Sequence, residues 1–397
     1  MNLAALAASP NALAAHYQRF RVADRALLTG HSHQAWPDCA MEGQLEAWSD
    51  AAAWLDEKWD LAFQRAKQVK KGFASLLGDD ADRIALGSST HELVVRFLSA
   101  LPLRQRRRLI TTDGEFHTLR RQLSRLSEEG IELIRVPADP VESLAPRLSQ
   151  VTDDRTAAVL VSAVLFETGR IVPGLDSVLR RCQEVGAELL VDVYHALNVV
   201  PFSLADQRLG SAFVVGGGYK YCQLGEGNCF LRIPPGCRVR PVVTGWFAEF
   251  SALAEGTADG TVWYPEDAER FAGATYDPTS HYRAARVFAF FEGQDLSPSF
   301  LRQVSQHQLG VLVRMFDGLD PDPRVVERDR ETPLAQVGGF LALRSPMAAL
   351  LGQKLREAQV LTDYRGEWLR LGPAPYLSDR QLEDAVAALG AVLKTVK

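Results

Sequence analysis

Short strand-like apolar runs alternate with helix-period segments along the first two thirds of the chain, and this alternation restricts the possible folds more than any other feature. Strands that alternate with helices predict an α/β fold with a mostly parallel central sheet. The runs expected to form strands are 108–111, 132–136, 158–162, 189–191 and 212–215, and helices are expected over 48–77 and 90–100.

The pattern changes near Pro278, where long helix-period segments at 282–291 and 300–319 replace the alternation. A strand-like run at 339–343 and a last helix at 379–394 follow them. This change predicts a separate, smaller C-terminal domain. A chain of 397 residues with 47% apolar residues is long enough to form two domains.

Two of the predicted strands, 189–191 and 212–215, are followed by residues typical of cofactor chemistry. Asp192 follows the first strand directly, and Lys220 follows the second after a run of glycines. Because α/β sheets place ligands at the carboxyl ends of parallel strands, both residues are expected at one site. Pyridoxal 5′-phosphate (PLP) needs a lysine to bond to its aldehyde and a carboxylate to keep its pyridine nitrogen protonated. The pair predicts a PLP site, but from these two residues alone an ordinary strand end and a surface lysine stay open.

Motifs around this pair and elsewhere resemble those of kynureninase, a fold-type I PLP enzyme of the class V aminotransferase group. The family's V-D-x-x-H motif is matched at 191–195, and its Y-K-Y-L-N-x-G-x-G motif is similar to 219–227. A G-W-F motif stands at 245–247, the opening L-x-G-N-S-L-G-x-x-P is similar to 28–37, and a late G-x-R-x-x-P-x-P-L-Y is similar to 368–376. The resemblance therefore covers nearly the whole chain.

This resemblance implies a fold-type I transferase fold: a large domain with a mostly parallel sheet between helices, and a smaller α+β C-terminal domain. Residues 1–45 would form an N-terminal arm that belongs to the small domain and to the active-site entrance. Residues 46–277 would form the large PLP-binding domain and residues 278–397 the small domain. The resemblance also implies a homodimer whose active site is shared between subunits.

The resemblance assigns a set of residues to the cofactor: Ser89, Thr90, Phe116, Ser162, Asp192, His195, Tyr219, Lys220, Trp246 and Thr275. The turn before the helix at 90–100 would bind the phosphate through backbone N–H groups, although Ser and Thr are also ordinary helix caps. Phe116 would stack on the pyridine ring, and Trp246 and Tyr219 would donate hydrogen bonds to the phosphate. Thr275 would reach the phosphate of the neighbouring subunit. The family has an acidic residue three positions after the stacking aromatic, where this chain has Leu119.

Substrate recognition is expected at both ends of the chain. Arg370 would bind the substrate carboxylate, because a guanidinium grips a carboxylate through two parallel hydrogen bonds. His31 and His33 replace an amide and an apolar residue of the family's opening motif, and they are expected to contact the substrate or shape the entrance. No further ligand spacing supports a metal at these histidines. Asp277 and Glu226 are further departures, and together they suggest a substrate other than kynurenine.

The expected activity is that of a PLP-dependent hydrolase that cleaves the Cβ–Cγ bond of kynurenine or a related amino acid, giving an aromatic acid (anthranilate) and L-alanine. Lys220 would be the base and Tyr219 the acid that protonates the β-carbon. Transamination and Cβ–S elimination stay open, because reaction type depends on pocket geometry. A cysteine desulfurase is disfavoured because no cysteine follows Cys237. A non-enzymatic scaffold is the remaining alternative.

Composition disfavours several other classes of protein. The net charge of −5 argues against nucleic-acid binding, so the basic run at 104–108 is expected to be a solvated loop. No apolar run is long enough to span a bilayer. Five cysteines without C-x-x-C spacing, and a start without a basic signal-peptide region, lead us to expect a cytoplasmic protein with reduced thiols.

Overall fold

The computed structural model describes residues 1–252 and 260–396. The helices α1 to α11 in this part are Leu3–Ala7, Cys39–Trp54, Lys58–Leu77, Thr90–Ala100, His117–Glu128, Leu144–Val151, Leu175–Val185, Thr279–Gly293, Pro298–Leu319, Ala348–Glu357 and Asp379–Leu393. The strands β1 to β13 are Ala26–Leu27, Ile84–Gly87, Arg108–Thr112, Glu132–Val136, Thr156–Ser162, Glu188–Asp192, Phe213–Gly217, Cys229–Arg232, Glu327–Arg328, Leu341–Arg344, Val360–Leu361, Asp363–Arg365 and Trp368–Leu371.

The central sheet has the strand order β2-β8-β7-β6-β5-β3-β4. Its strands from β7 to β4 are parallel, while β8 runs antiparallel to both β7 and β2. The register pairs Ser162 with Asp192 and Asp192 with Val215, so the carboxyl ends of β5, β6 and β7 lie side by side. The mostly parallel sheet predicted from the sequence is confirmed.

Both faces of this sheet are covered. Along β5, Ala158 and Leu160 pack into one buried apolar cluster, and Val159 and Val161 pack into another on the opposite face. Successive residues of a strand point to opposite faces, so a strand buried on both sides must be apolar throughout. This burial explains why β5 appears in the sequence as an unbroken apolar run.

The predicted single helix over 48–77 is wrong, because the chain breaks between α2 and α3. Leu55, which follows α2, has a φ of 47°, and a short 3-10 turn spans Leu55–Glu57. The local sequence has no glycine or proline to signal this break. Both helices contact α8, so tertiary packing rather than local propensity fixes the break.

The C-terminal part has its own antiparallel sheet of order β12-β13-β10-β9. The N-terminal segment joins this part through β1, which pairs in parallel with β11. In β12 and β13, Asp363 lies opposite Arg370 and Arg365 lies opposite Trp368. Across residues 1–252 and 260–396, no helix combines the length and apolar character needed to cross a membrane.

Candidate active site

Lys220 lies just beyond the end of β7, with its side chain buried. Its Nζ atom is 2.5 Å from Nε2 of His195, and lies 4.8 Å from the ring centre of Tyr194 and 5.4 Å from that of Phe116. The glycines before it make this close packing possible, since a Cβ on Gly217 would lie 2.5 Å from the Tyr194 ring. The amine is therefore enclosed by rings at the edge of the sheet.

Burial lowers the pKa of Lys220 to about 7, while the charge of Asp192 acts in the opposite direction. Burial also lowers the pKa of His195 well below its usual value, and the charge of Lys220 adds to this effect. His195 is therefore neutral and able to accept a hydrogen bond from the amine. A lysine with a pKa near neutrality is a usable nucleophile and base.

Asp192 is the last residue of β6, and its Oδ1 atom accepts the backbone N–H of Tyr194 at 2.8 Å. Burial raises the pKa of this carboxyl, and the charge of Lys220 lowers it again. Asp192 lines a cavity of about 20 Å³ together with Phe116 and Thr90. A carboxylate in such surroundings favours a cation as its partner.

The predicted phosphate turn lies at the start of α4. Ser89 is the N-cap, and its Oγ atom accepts the backbone N–H of Glu92 at 3.2 Å. Thr90, the first residue of the helix, lines the small cavity with Asp192. The free backbone N–H groups of a helix N-terminus favour a phosphate group, so capping and phosphate binding are both available to this turn.

The carboxylate of Glu115, which was not expected from the sequence to be a site residue, is buried beside the ends of β3 and β5. Glu115 accepts hydrogen bonds from Thr112 Oγ1 at 2.7 Å, from Ser162 N at 3.1 Å and from Ser162 Oγ at 2.5 Å. Burial raises the pKa of Glu115 to about 7, although these bonds lower it. The hydroxyl of Ser162 is therefore committed to Glu115, next to Asp192 in the register. The only feature of the sequence that could have indicated this role is that Glu115 directly precedes Phe116, the predicted stacking aromatic.

Tyr219 forms the outer wall of the site, and its ring stacks on that of His33 with centres 4.8 Å apart. The imidazole of His33 is exposed, and its Nε2 atom lies 3.7 Å from a carboxylate oxygen of Glu226. Burial raises the pKa of the Tyr219 hydroxyl to about 12. His33 and Glu226, which both differ from the kynureninase motifs, therefore lie close together beside Tyr219, the predicted catalytic acid.

Arg370 is buried, and its partners lie within the chain. It donates to the carbonyl of Phe166 at 2.5 Å and to Asp363 at 2.7 Å. His31 is also buried, and its ring packs on that of Phe340. Burial and the charge of Arg370 lower the pKa of His31 well below its usual value. Direct substrate contact by Arg370 and His31 stays a prediction, and Asp363 is a site residue that the sequence reasoning missed.

In the part of the chain that the structure describes, Trp246 and Thr275 make no hydrogen bond or ring contact with Lys220. Trp246 is exposed, and its ring packs at a tilt against those of Phe247 and Phe250. Thr275 lines a larger cavity of about 1100 Å³, which the phosphate turn also borders at Gly87 and Ser88. In the described residues, neither Trp246 nor Thr275 hydrogen-bonds to or stacks on another predicted cofactor residue. Their cofactor roles, and the second subunit that Thr275 would serve, stay predictions.

The arrangement fits PLP in three respects. Lys220 supplies a buried amine with a pKa near neutrality, and Asp192 supplies a carboxylate without an ion-pair partner in the described residues. Phe116 lines the same small cavity as Asp192, so an aromatic ring lies close to this carboxylate. In the same part of the chain, no cluster of three or more His, Cys, Asp or Glu side chains is suited to a metal ion.

Comparison with known structures identifies the fold. A variant of C-DES with glycine covalently linked to its PLP cofactor superposes with a TM-score of 0.83 at 16% identity, over 95% of this chain and 98% of that one. The cystine C–S lyase C-DES in complex with cysteine persulfide superposes with a TM-score of 0.81 at 17% identity, over 93% and 98%. The chain has the fold-type I fold of PLP-dependent enzymes. The fold predicted from the sequence is therefore confirmed, and PLP is the cofactor that this fold and these residues fit.

Sequence comparison gives relatives of low identity. The chain is 27% identical to the kynureninase of Deinococcus radiodurans over 341 residues, which cover 82% of this chain and 78% of that protein. It is 22% identical to the uncharacterized aminotransferase YcbU of Bacillus subtilis over 352 residues, 87% of this chain and 89% of that protein. No family model matches. These likenesses agree with a class V PLP-dependent enzyme and leave its reaction to be determined.

Proposed function

We propose that the chain is a PLP-dependent hydrolase of the kynureninase type, which cleaves the Cβ–Cγ bond of kynurenine or a related γ-oxo amino acid. One observation carries the cofactor assignment: the buried Lys220 amine and the Asp192 carboxylate lie at the carboxyl ends of adjacent parallel strands. Support for the reaction comes from the likeness to a kynureninase over four fifths of the chain. The products would be an aromatic acid, anthranilate in the case of kynurenine, and L-alanine.

Bound PLP supplies an aldehyde that bonds to amines and a ring that accepts negative charge from the substrate's α-carbon. Asp192 would hold the proton on the ring nitrogen, because a buried carboxylate favours an adjacent cation. Phe116 would cover one ring face, and the turn at Ser89 and Thr90 would bind the phosphate.

Lys220 and Tyr219 would carry out the proton transfers. With a pKa of about 7, Lys220 is substantially neutral at neutral pH and able to take the α-proton, and His195 holds its amine at 2.5 Å. Tyr219 has a pKa of about 12 and therefore keeps its proton at neutral pH. Water would add to the γ-carbonyl carbon and supply the hydroxyl oxygen of the acid product, and Tyr219 would deliver its proton to the β-carbon as the Cβ–Cγ bond breaks.

The second candidate is Cβ–S elimination from a cysteine derivative such as cystine. It is favoured by the entrance, where the exposed His33 and Glu226 give a polar wall next to Tyr219. Such a wall suits a polar substrate side chain better than the aryl ring of kynurenine. The fold-level likeness to a cystine C–S lyase agrees with it. Transamination is the third reaction type open to this fold.

A product assay separates these reactions. The holoprotein is incubated in parallel with L-kynurenine, L-3-hydroxykynurenine and L-cystine, and with L-alanine plus a 2-oxo acid, while the near-visible absorption of the cofactor is followed. Anthranilate and alanine from kynurenine support the proposal, whereas pyruvate and persulfide from cystine alone favour elimination. Lys220→Ala is the control and should form no product. A wild-type protein that takes up no PLP would refute the proposed function.

A further inference from the structure

A chain of three buried hydrogen bonds joins two loops that border Lys220. The hydroxyl of Tyr17 donates to Oε1 of Gln223 at 2.5 Å, and Nε2 of Gln223 donates to Oε1 of Gln34 at 2.8 Å. Nε2 of Gln34 then donates to the carbonyl of Gly30 at 3.1 Å. Tyr17, Gln34 and Gln223 are each at most 4% exposed, so water does not compete for these bonds.

Two residues of this chain stand where the sequence departs from the kynureninase motifs. Gln34 stands where the opening motif has glycine, and Gln223 stands where the lysine motif has asparagine. Glycine has no side chain to accept a hydrogen bond, and asparagine is shorter than glutamine by one methylene. Gln223 also has a φ of 58°, a left-handed conformation that suits glycine or asparagine better than glutamine. The two departures form a matched pair, because each supplies the hydrogen-bond partner of the other.

Gln34 attaches the opening loop, residues 28–37, to the chain on both sides of Lys220. Its backbone N–H donates to the carbonyl of Tyr219 at 3.4 Å, directly before the lysine. Its side chain accepts from Gln223, three residues after the lysine. The position of the opening loop is therefore tied to the segment that carries Lys220.

The opening loop in turn supports the ring of Tyr219. This ring contacts the buried ring of Tyr194, with centres 4.8 Å apart, and the ring of His33, with centres 4.8 Å apart and planes within 15° of parallel. The side chain of His33 is 64% exposed, so packing in the core does not hold it in place. Its position depends on the loop backbone, and His33 directly precedes Gln34 in that loop.

We propose that Gln34 and Gln223 are positioning residues for Tyr219, and that the chain of bonds from Tyr17 to Gly30 keeps His33 on the Tyr219 ring. The inference rests on the proposed function, because the proton that Tyr219 delivers belongs to that reaction. An acid has to lie within hydrogen-bond reach of the atom that it protonates, and a displacement of about 1 Å is able to lower a rate by about 100-fold.

The test removes the three polar partners together, by combining Tyr17→Phe, Gln34→Met and Gln223→Met. The new side chains have similar sizes and leave none of the three positions with an unpaired polar atom, so the urea midpoint should stay close to that of wild type. The near-visible absorption of the cofactor should persist. Turnover should fall by about 10- to 100-fold, because the ring of Tyr219 loses its outer support.

The KM for the amino acid should change by no more than about twofold in this combined variant, because Arg370, the predicted carboxylate-binding residue, is left intact. Gln306→Met is the matched control, since it removes a hydrogen bond from a half-buried glutamine to the carbonyl of Leu334, away from both loops. The control should keep the turnover of wild type. Gln34→Met alone should also lower turnover, so the test does not depend on the folding of the combined variant.

Hydrogen–deuterium exchange of the cofactor-free protein examines the opening loop without any reaction. Peptides that cover 28–37 should exchange faster in the combined variant than in wild type, by about 10-fold or more, whereas peptides from β5 should be unchanged. Unchanged exchange in the opening loop would show that the chain of bonds does not hold it, and would overturn the proposal.

Turnover separates positioning from packing. A combined variant and a Gln34→Met variant that both turn over as wild type does would overturn the roles given to Gln34 and Gln223. A loss of turnover in Gln306→Met equal to that in Gln34→Met would overturn them as well, because the effect would then be one of general stability. If the wild-type holoprotein forms no product in the product assay, the proposed function fails, and the exchange measurement still decides whether these bonds hold the opening loop.

Discussion

The clearest physical prediction concerns Glu115, the carboxylate buried beneath the edge of the sheet. Its pKa is about 7 in the folded chain against an ordinary value of 4.5, so the folded state binds this proton more tightly than the unfolded state. The free energy of unfolding must then fall as pH rises from about 4.5 to about 7, and stay lowered above that. At about 1.36 kcal/mol for each unit of pKa difference, the ionised group costs the folded state about 3 kcal/mol at about pH 8.

Glu115→Gln removes this titration while keeping the size of the side chain. The amide oxygen is able to accept from Thr112 Oγ1 and Ser162 N in place of Oε1, while the amide nitrogen donates to Ser162 Oγ where Oε2 accepts from it. The variant should therefore resemble wild type near pH 4.5 and be more stable than wild type near pH 8, by up to about 3 kcal/mol. Urea unfolding of the cofactor-free protein at both pH values measures this difference. Glu128→Gln, at the exposed end of α5, makes the same chemical change on the surface and serves as the control.

The sign of the stability difference between Glu115→Gln and wild type at about pH 8 tests the prediction. If Glu115→Gln were less stable than wild type by the same amount at both pH values, Glu115 would be an ordinary ionised hydrogen-bond acceptor. The account of a proton held beside Asp192 would then be wrong.

Two other substitutions probe separate parts of the molecule. Tyr219→Phe should keep the cofactor absorption band but lower turnover on any accepted amino acid by about 10²- to 10⁴-fold, because it removes the proton donor. A steady-state turnover equal to that of wild type would exclude Tyr219 as the acid. Arg232→Met should lower the free energy of unfolding by about 3–5 kcal/mol, because Arg232 is buried and pairs with Asp79 at 2.5 Å. A urea midpoint equal to that of wild type would show that this ion pair does not stabilise the fold.

The sheet could be predicted from the sequence because its strands are buried on both faces. A parallel strand covered on both sides must be apolar along its length, and β5 and β6 appear in the sequence as such runs. The hairpin of β12 and β13 was not predicted, because its strands have only three and four residues and alternate charged with apolar side chains. The break at Leu55 was missed for a different reason, since packing against α8 produces it without any local signal.

Some residues of the site could likewise be predicted from the sequence, and others could not. Asp192 and Lys220 were expected to meet because the ends of neighbouring parallel strands share an edge whatever the loops do. The bond between Glu115 and Ser162 joins residues 47 positions apart, and only the packed fold brings them together. Asp363 and Arg370 are separated by only seven positions, but their pairing depends on the hairpin register that the sequence did not reveal.

The central claim is that Lys220 carries the cofactor. Borohydride reduction of the holoprotein, followed by proteolysis and mass spectrometry, identifies the residue to which PLP is attached. We predict a single modified peptide containing Lys220, and loss of that adduct in Lys220→Ala, because among residues 1–252 and 260–396 only this amine combines a pKa near 7 with a place beside Asp192 at the strand ends. A reduced adduct on another lysine, or one that persists in Lys220→Ala, would contradict the account.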